Sequence, residues 1–206
     1  MKNIIKIALL LCITNTIFTV YGQDSRTTDE GVVINGVRWA TRNVDKPGTF
    51  TEKPEDAGMF YQWNRKVGWS SSDPLVNSDG ETEWNANEAA GESWSKENDP
   101  CPCGWRVPTY EELQSLGNVS SEWSELNGKT GRFFDSGRQF LFLPAAGHRD
   151  GSSSTLSEVD TNGYYSINDT SVHHVEYLYF YSRLVTVGGS HTRAHGMSLR
   201  CVAENK

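Results

Sequence analysis

The stretch ENDPCPCGWRVPTYEEL (97–113) places two cysteines, Cys101 and Cys103, shortly before a predicted helix. Thr109 followed by Glu112 is the pattern of a capping box: the threonine hydroxyl accepts the amide of residue 112, and the glutamate reaches back to the cap. Cysteines in this position could belong to a redox centre, a metal site or a structural disulfide. The rest of the chain is needed to choose between these three.

Residues 1–22 predict a secretory signal peptide. Lys2 and Lys6 precede an apolar run over residues 7–20, which is too short and wrongly flanked for a lasting membrane span. Cys12 belongs to this run. No later apolar segment is long enough to cross a bilayer, so we expect no transmembrane segment. We therefore predict an exported protein that is secreted, held at the cell surface or periplasmic.

The charge of the chain excludes one class of partner. The full sequence has a formal charge of −7, and removing residues 1–22, which hold two lysines and no acid, changes it to −9. Nucleic-acid binding needs a basic face, so we expect no nucleic-acid partner. Export to an oxidising compartment favours a disulfide. Three cysteines lie beyond residue 22, so one of them remains after a single disulfide has formed.

Local patterns predict the elements of the first half. Residues 23–30 are polar and predict a flexible N-terminal segment, followed by one domain over residues 31–206. Asn35-Gly36 between two β-rich runs predicts a tight hairpin. The spacing of the apolar residues in DAGMFYQWNRKVGW (56–69) predicts a short helix. Residues 70–100 lack periodicity and predict a long loop pinned by Trp84 and Trp94.

The second half is richer in strand patterns. The capped helix has a buried face at Leu113 and Leu116. RQFLFLPAAG (138–147) predicts a central buried strand, and residues 174–187 and 197–202 predict two further strands. In the aromatic strand, alternation places Leu178 and Phe180 in the core and the tyrosines on the other face. Helix and strand patterns together predict an α+β fold.

Seven segments of the chain resemble, in order, the Fibrobacter succinogenes major paralogous domain family of exported bacterial proteins. They are VVINGVRWATRNV (32–44), GMFYQWNRK (58–66), NDPCPCGWRVPTYEEL (98–113), FLPAAGHRDGSS (142–153), NGYYSIND (162–169), YLYFYS (177–182) and SLRCV (198–202). The resemblance covers roughly residues 31–203. It implies a C-type-lectin-like fold, with a mixed or antiparallel sheet, one or two helices and long loops, related to that of the formylglycine-generating enzymes.

The resemblance also implies an answer for the cysteines. The family pattern has one cysteine in DPCP and another in the final RCV, which correspond to Cys101 and Cys201. A disulfide between them would close a loop of about 100 residues, which chain-entropy arguments rate near 4–5 kcal/mol. Cys103 is then expected to be a free thiol, because a Cys101–Cys103 ring would be strained.

The chain lacks the residues that several chemical activities require. The formylglycine-generating enzymes use two cysteines in the C-terminal half, where this chain has only Cys201, and no Gly-x-Ser-x-Gly elbow is present. The Glu-Pro-Asn, Gln-Pro-Asp and Trp-Asn-Asp motifs of calcium-dependent lectins are also absent. His191 and His195 have a four-residue spacing that suits zinc on a helix, but GGSHTRAHG predicts a loop. We therefore expect no enzymatic activity, no metal and no cofactor.

These observations favour a ligand-binding, adhesin-like module that recognises a protein or glycan at the cell surface through its C-terminal loops. Large side chains with polar groups on loops over a rigid sheet suit recognition. The predicted binding residues are Ile167, Asn168, His173, His174, Tyr181, Arg183, Thr186, His191 and His195. The alternatives are an unusual enzyme of the formylglycine-generating fold, and a tip or structural subunit of a surface appendage.

Overall fold

The computed structural model describes residues 25–135, 137, 139–171 and 174–204. The predicted signal peptide lies outside these ranges. Within them, no helix has the length and apolar character needed to cross a bilayer. The segment expected to be flexible is held at Asp29, whose carboxylate accepts hydrogen bonds from the Thr41 amide and hydroxyl and pairs with Arg42.

The described residues form fifteen β-strands, one α-helix and a short 3-10 helix at Ser25–Thr27. In chain order they are β1 Val32–Ile34, β2 Val37–Trp39, β3 Met59–Gln62, β4 Gly68–Ser70, β5 Trp105–Arg106, α1 Tyr110–Gly117, β6 Ser120–Leu126, β7 Lys129–Asp135, β8 Phe140–Pro144, β9 His148–Arg149, β10 Leu156–Ser157, β11 Gly163–Ser171, β12 His174–Tyr181, β13 Leu184–His191, β14 Gly196–Met197 and β15 Val202–Ala203.

The strands form four small sheets, and neighbouring strands in each are antiparallel. Their strand orders are β1-β2-β15-β5, β10-β9-β14-β3-β4, β11-β12-β13 and β6-β7-β8. The protein is therefore β-rich with a single eight-residue α-helix in the described part of the chain, and the expected α+β, C-type-lectin-like fold is wrong.

The segment expected to be a helix, residues 56–69, shows why the fold class differs. It forms the hairpin of β3 and β4, in which Met59 pairs with Ser70 and Tyr61 with Gly68. All four residues of β3 are buried. A strand buried on both faces gives a continuous apolar run, whose spacing cannot be distinguished from that of a helix.

The two strongest local predictions are confirmed. Asn35 and Gly36 have φ angles of 50° and 81° and connect β1 to β2, as the hairpin requires. Thr109 caps α1, and both halves of its capping box with Glu112 are present. Leu113 and Leu116 are buried, so the helix contributes its apolar face to the core.

The aromatic strand predicted over residues 174–187 is two strands, β12 and β13, joined by a turn after Tyr181. The predicted alternation in β12 is confirmed: Leu178 and Phe180 are buried in the main core against α1 and β8, while Tyr177 packs on the other face with Tyr164. The strand expected to be central, β8, lies at the edge of its sheet. It is still buried, because its side chains face the same core.

A second core surrounds the predicted disulfide. Cys101 and Cys201 are bonded, joining the loop before β5 to the segment before β15. The buried Cys201 packs in a cluster with Trp63 and Trp94. Cys103 is also disulfide-bonded, so the expectation of a free thiol is wrong.

Candidate functional site

The structure divides the predicted binding residues among separate locations. Tyr181, Arg183 and Thr186 lie at or near the tip of the β12–β13 hairpin. His191 is at the opposite end of β13, seven residues from Leu184, which is roughly 23 Å at the rise of an extended strand. The described members of this set therefore lie in separate places and not on one face.

Two of the predicted residues serve the interior. Ile167 is 1% exposed and belongs to the main core, so it offers no surface for a ligand. The carbonyl of Asn168 accepts the backbone amide of Trp94 at 3.0 Å and the Trp63 indole N–H at 3.2 Å. Its side-chain oxygen accepts the Trp94 amide as well, so Asn168 anchors a loop. Ile167 is buried because its side chain faces the main core, whereas Asn168, the next residue of β11, lies beside the loop of residues 84–98.

Two other predicted residues cannot be placed in the same way. His173 lies outside the described residues. His174 begins β12, where its backbone pairs with Ser171, but its side chain is outside what the structure describes.

His191 and His195 lie together with a residue that the sequence did not single out, His148. One ring nitrogen from each of the three imidazoles falls within a group whose members are all within 4.8 Å of one another. The ring centroids of His191 and His195 are 4.1 Å apart, and that of His148 is 5.6 Å from His191. We call His148, His191 and His195 the histidine cluster.

Three different parts of the chain supply this cluster. His148 comes from β9 in the five-stranded sheet, His191 ends β13 in a three-stranded sheet, and His195 lies in the loop that leads to β14. His148 precedes His191 by 43 residues, so no local spacing could have indicated it. The tertiary fold alone brings it to the pair.

Aromatic rings and glycines fix the positions of the imidazoles. The ring of Tyr177 stacks on His191 with centroids 5.0 Å apart and planes 13° from parallel. A Cβ at Gly189 would lie 2.4 Å from that ring, so the close approach requires glycine. A Cβ at Gly151 would lie 2.9 Å from Nδ1 of His195, which packs against bare backbone there.

Polar groups surround the cluster. Oγ1 of Thr192 is 3.0 Å from Nδ1 of His195, and Oδ2 of Asp150 is 3.6 Å from Nε2 of the same ring. On the other side, Oε2 of Glu158 is 3.8 Å from Nδ1 of His148 and accepts a hydrogen bond from the Tyr164 hydroxyl. The imidazoles therefore lie between two carboxylates.

The electrostatics keep the imidazoles neutral and one carboxylate charged. Burial lowers the pKa of all three histidines, and burial together with the neighbouring His195 lowers that of His191 to about 4. Hydrogen bonds from the Ser152 hydroxyl and the Ser153 amide hold the pKa of Asp150 well below its usual range. Near neutral pH the cluster presents nitrogen lone pairs beside a carboxylate anion.

A separate feature is a polar groove of about 1200 Å³ between the β3–β4 hairpin and the loop of residues 80–98. Side chains that line it include Lys66, Trp69, Glu83, Trp84, Asn85 and Asn87. The Trp84 indole lies partly exposed on the buried Trp69, with centroids 4.9 Å apart, and donates a hydrogen bond to the Gly151 carbonyl.

The loop that walls the groove is fastened by amide side chains. Gln62 donates to the carbonyls of Asn85 and Ala194 at 2.7 and 2.8 Å. Asn64 has a left-handed φ of 54°; it accepts the Ser95 amide and donates to a further loop carbonyl, each at 2.9 Å. The structure thus contains the predicted loop, which its tryptophans help to hold. The sequence did not indicate that the Gln62 and Asn64 side chains also hold the loop through hydrogen bonds.

No family model matches the chain. No curated protein and no solved structure matches it either. The function must therefore be inferred from the geometry of the groove and of the histidine cluster.

Proposed function

We propose that this chain is an exported binding module that holds a carbohydrate chain in the polar groove. The observation that carries the proposal is the lining of the groove: exposed amide and charged side chains stand around one partly exposed indole. The predicted export through a signal peptide and the proposed function agree, because extracellular glycans are within reach of an exported protein.

The chemistry of the lining favours a hydroxylated ligand. Sites for apolar ligands are lined mainly by hydrophobic side chains, whereas Lys66, Glu83 and Asn87 expose polar groups to this groove. An amide offers two donors and one acceptor, which match the paired donor and acceptor character of sugar hydroxyls. Charges of both signs favour a ligand without large net charge.

Trp84 supplies the apolar part of such a site. One side of a pyranose ring is made of C–H groups, which pack on the electron-rich face of an indole. The packing of Trp84 on Trp69 and its hydrogen bond to Gly151 hold the ring in place, so little side-chain entropy is lost on binding.

A protein ligand fits this groove less well. The centres of protein interfaces are depleted in lysine and glutamate and enriched in aromatic residues. The groove places Lys66 and Glu83 beside only two tryptophans, one of which is buried. The hairpin tip at Tyr181 and Arg183 remains a second location for a ligand, predicted from the sequence, and the experiment must separate the two.

The test is a glycan array probed with the mature protein, followed by calorimetric titration of the saccharide that binds best. We expect Asn87→Ala combined with Glu83→Ala to weaken binding about tenfold or more, because the first change removes neutral hydrogen bonds of about 0.5–1.5 kcal/mol each and the second removes a charge-assisted bond of about 1.5–3 kcal/mol. Both side chains are exposed, so the variant should fold normally. Arg183→Ala is the matched control and should bind as the wild type does. Failure to bind any saccharide, or loss of binding in Arg183→Ala alone, would contradict the proposal.

A further inference from the structure

We propose that His148, His191 and His195 together bind one divalent transition-metal ion of the zinc class. This proposal does not depend on the carbohydrate-binding function, and it revises the expectation of no metal that the sequence supports. It rests on the convergence of three nitrogens from three segments of the chain.

The geometry is close to what such an ion requires. Zinc–imidazole bonds of about 2.0–2.1 Å at tetrahedral angles place the ligand nitrogens about 3.3 Å apart. The three nitrogens here lie within 4.8 Å of one another, so small side-chain rotations toward a common centre complete the site. His191 and His195 are half-buried, which leaves an approach for the ion from solvent.

A second observation points to a ligand. His148 is 9% exposed, and among the described residues its Nδ1 has no hydrogen-bond partner although the atom is fully enclosed. A buried polar nitrogen without a partner costs free energy. On this proposal the ion binds that nitrogen, accepts its lone pair and removes the cost.

The donor set identifies the class of metal. Imidazole nitrogens suit Zn²⁺, Co²⁺, Ni²⁺ and Cu²⁺, whereas Ca²⁺ and Mg²⁺ prefer sites built from oxygen. Three histidines leave a fourth position, which water or the nearby Asp150 carboxylate can take. The anionic Asp150 also partly neutralises the dication.

The surroundings supply the outer contacts that metal-binding histidines use. Such histidines are oriented by hydrogen bonds from their second nitrogen to a carboxylate, a carbonyl or a hydroxyl. Thr192 takes this role at Nδ1 of His195. The ring of Tyr177 fixes His191 from one face.

Metal binding at this position would join two sheets. His148 belongs to the sheet that contains β9 and β14, and His191 belongs to the sheet of β11, β12 and β13. An ion that binds only the folded arrangement stabilises it according to its concentration relative to the Kd. At a hundredfold excess over the Kd, we expect the melting temperature to rise by about 5–10 °C.

The experiment begins with the mature protein, stripped with a chelator and dialysed. Titration with Zn²⁺ should give a stoichiometry of one and the rise in melting temperature stated above. Co²⁺ should give the intense visible absorption of a four-coordinate ion. His148→Gln and His195→Gln should each weaken Zn²⁺ binding by more than about 100-fold.

Two controls keep the outcome decisive. Asn87→Ala, in the groove, should bind Zn²⁺ as the wild type does, so failure of the carbohydrate proposal and failure of this one are distinguishable. The melting temperature of each His→Gln variant without metal should lie near that of the metal-free wild type; if one variant unfolds, the other carries the test. Absence of a one-to-one complex, or equal Zn²⁺ affinity in the wild type and both folded variants, would show that the imidazoles only pack on Tyr177 and would overturn the proposal.

Discussion

Replacing Asn64 tests whether the wall of the groove depends on one side chain. The Asn64 amide group makes three hydrogen bonds to the loop: it accepts from the Ser95 amide at 2.9 Å and from Nδ2 of Asn98 at 3.2 Å, and it donates to the Ala90 carbonyl at 2.9 Å. The loop it holds carries Trp84, the residue on which we propose that the sugar stacks.

The magnitude follows from those contacts. Three hydrogen bonds at about 1 kcal/mol each stabilise the closed loop by about 3 kcal/mol. Asn64→Gly removes these bonds and still tolerates the φ of 54°. Asn64→Ala removes the same bonds and adds about 1–2 kcal/mol of left-handed backbone strain. The difference between the two variants separates the side-chain bonds from the backbone cost.

Hydrogen exchange of the Trp94 amide is the assay. This amide is bonded to Asn168 and not to Asn64, so it reports on opening of the loop instead of on the lost bonds themselves. A loss of about 3 kcal/mol should raise its exchange rate roughly 100-fold in Asn64→Gly. The same variant should bind the saccharide more weakly. If the Trp94 amide exchanged at the same rate in Asn64→Gly as in the wild type, the claim that the Asn64 side chain holds the wall of the groove would be refuted.

Two further predictions concern stability. The double variant Cys101→Ser, Cys201→Ser removes a disulfide that joins residues 100 positions apart in the sequence. The chain-entropy model gives such a bridge a stabilisation of about 4.7 kcal/mol. Calorimetry should therefore find a melting temperature roughly 9–19 °C lower. A fall of only about 3 °C would contradict this, as would a non-reducing peptide map without the Cys101–Cys201 linkage. Burial opposes ionisation of Glu112, but hydrogen bonds from Arg106 and the Thr109 amide outweigh it and lower its pKa below 4.5. Ionised Glu112 therefore stabilises the fold above pH 4.5, and this stabilisation is lost as the pH falls below that value. In urea titrations, the free energy of unfolding of the wild type should fall on acidification by about 1 kcal/mol more than that of Glu112→Gln. Parallel stability curves for the two proteins would refute it.

The parts of the fold that the sequence predicted are those set by neighbouring residues. Asn35-Gly36 tolerates the positive φ angles of its turn whatever lies around it, and Thr109 with Glu112 caps a helix through contacts three residues apart. The tyrosine alternation in β12 is likewise local. The Cys101–Cys201 pairing came from the family resemblance, and the structure contains the same bridge.

The errors have a common physical cause, because each depended on contacts distant in sequence. The sequence of β3 predicts a helix because both faces of the strand are buried, and that burial comes from contacts that a short stretch of sequence does not show. The sequence predicts Ile167 at the surface, but its side chain packs in the main core with residues of α1, β8 and β12.

The histidine cluster was missed for the same reason. His191 and His195 suggested metal chemistry only if they lay on one helix, and they do not. Their third partner, His148, lies in another sheet, and only the packing of β9 against the end of β13 brings it within reach. A single sequence contains no signal for a contact between residues so far apart in the chain.

The most direct test of the central claim is an NMR titration of the ¹⁵N-labelled mature protein with the saccharide selected on the array. The account predicts saturable shifts at the Trp84 indole N–H and at the side-chain amides of Asn85 and Asn87, with little change at Tyr181 and Arg183. Saturable shifts confined to the hairpin tip, with the groove signals unmoved, would contradict it.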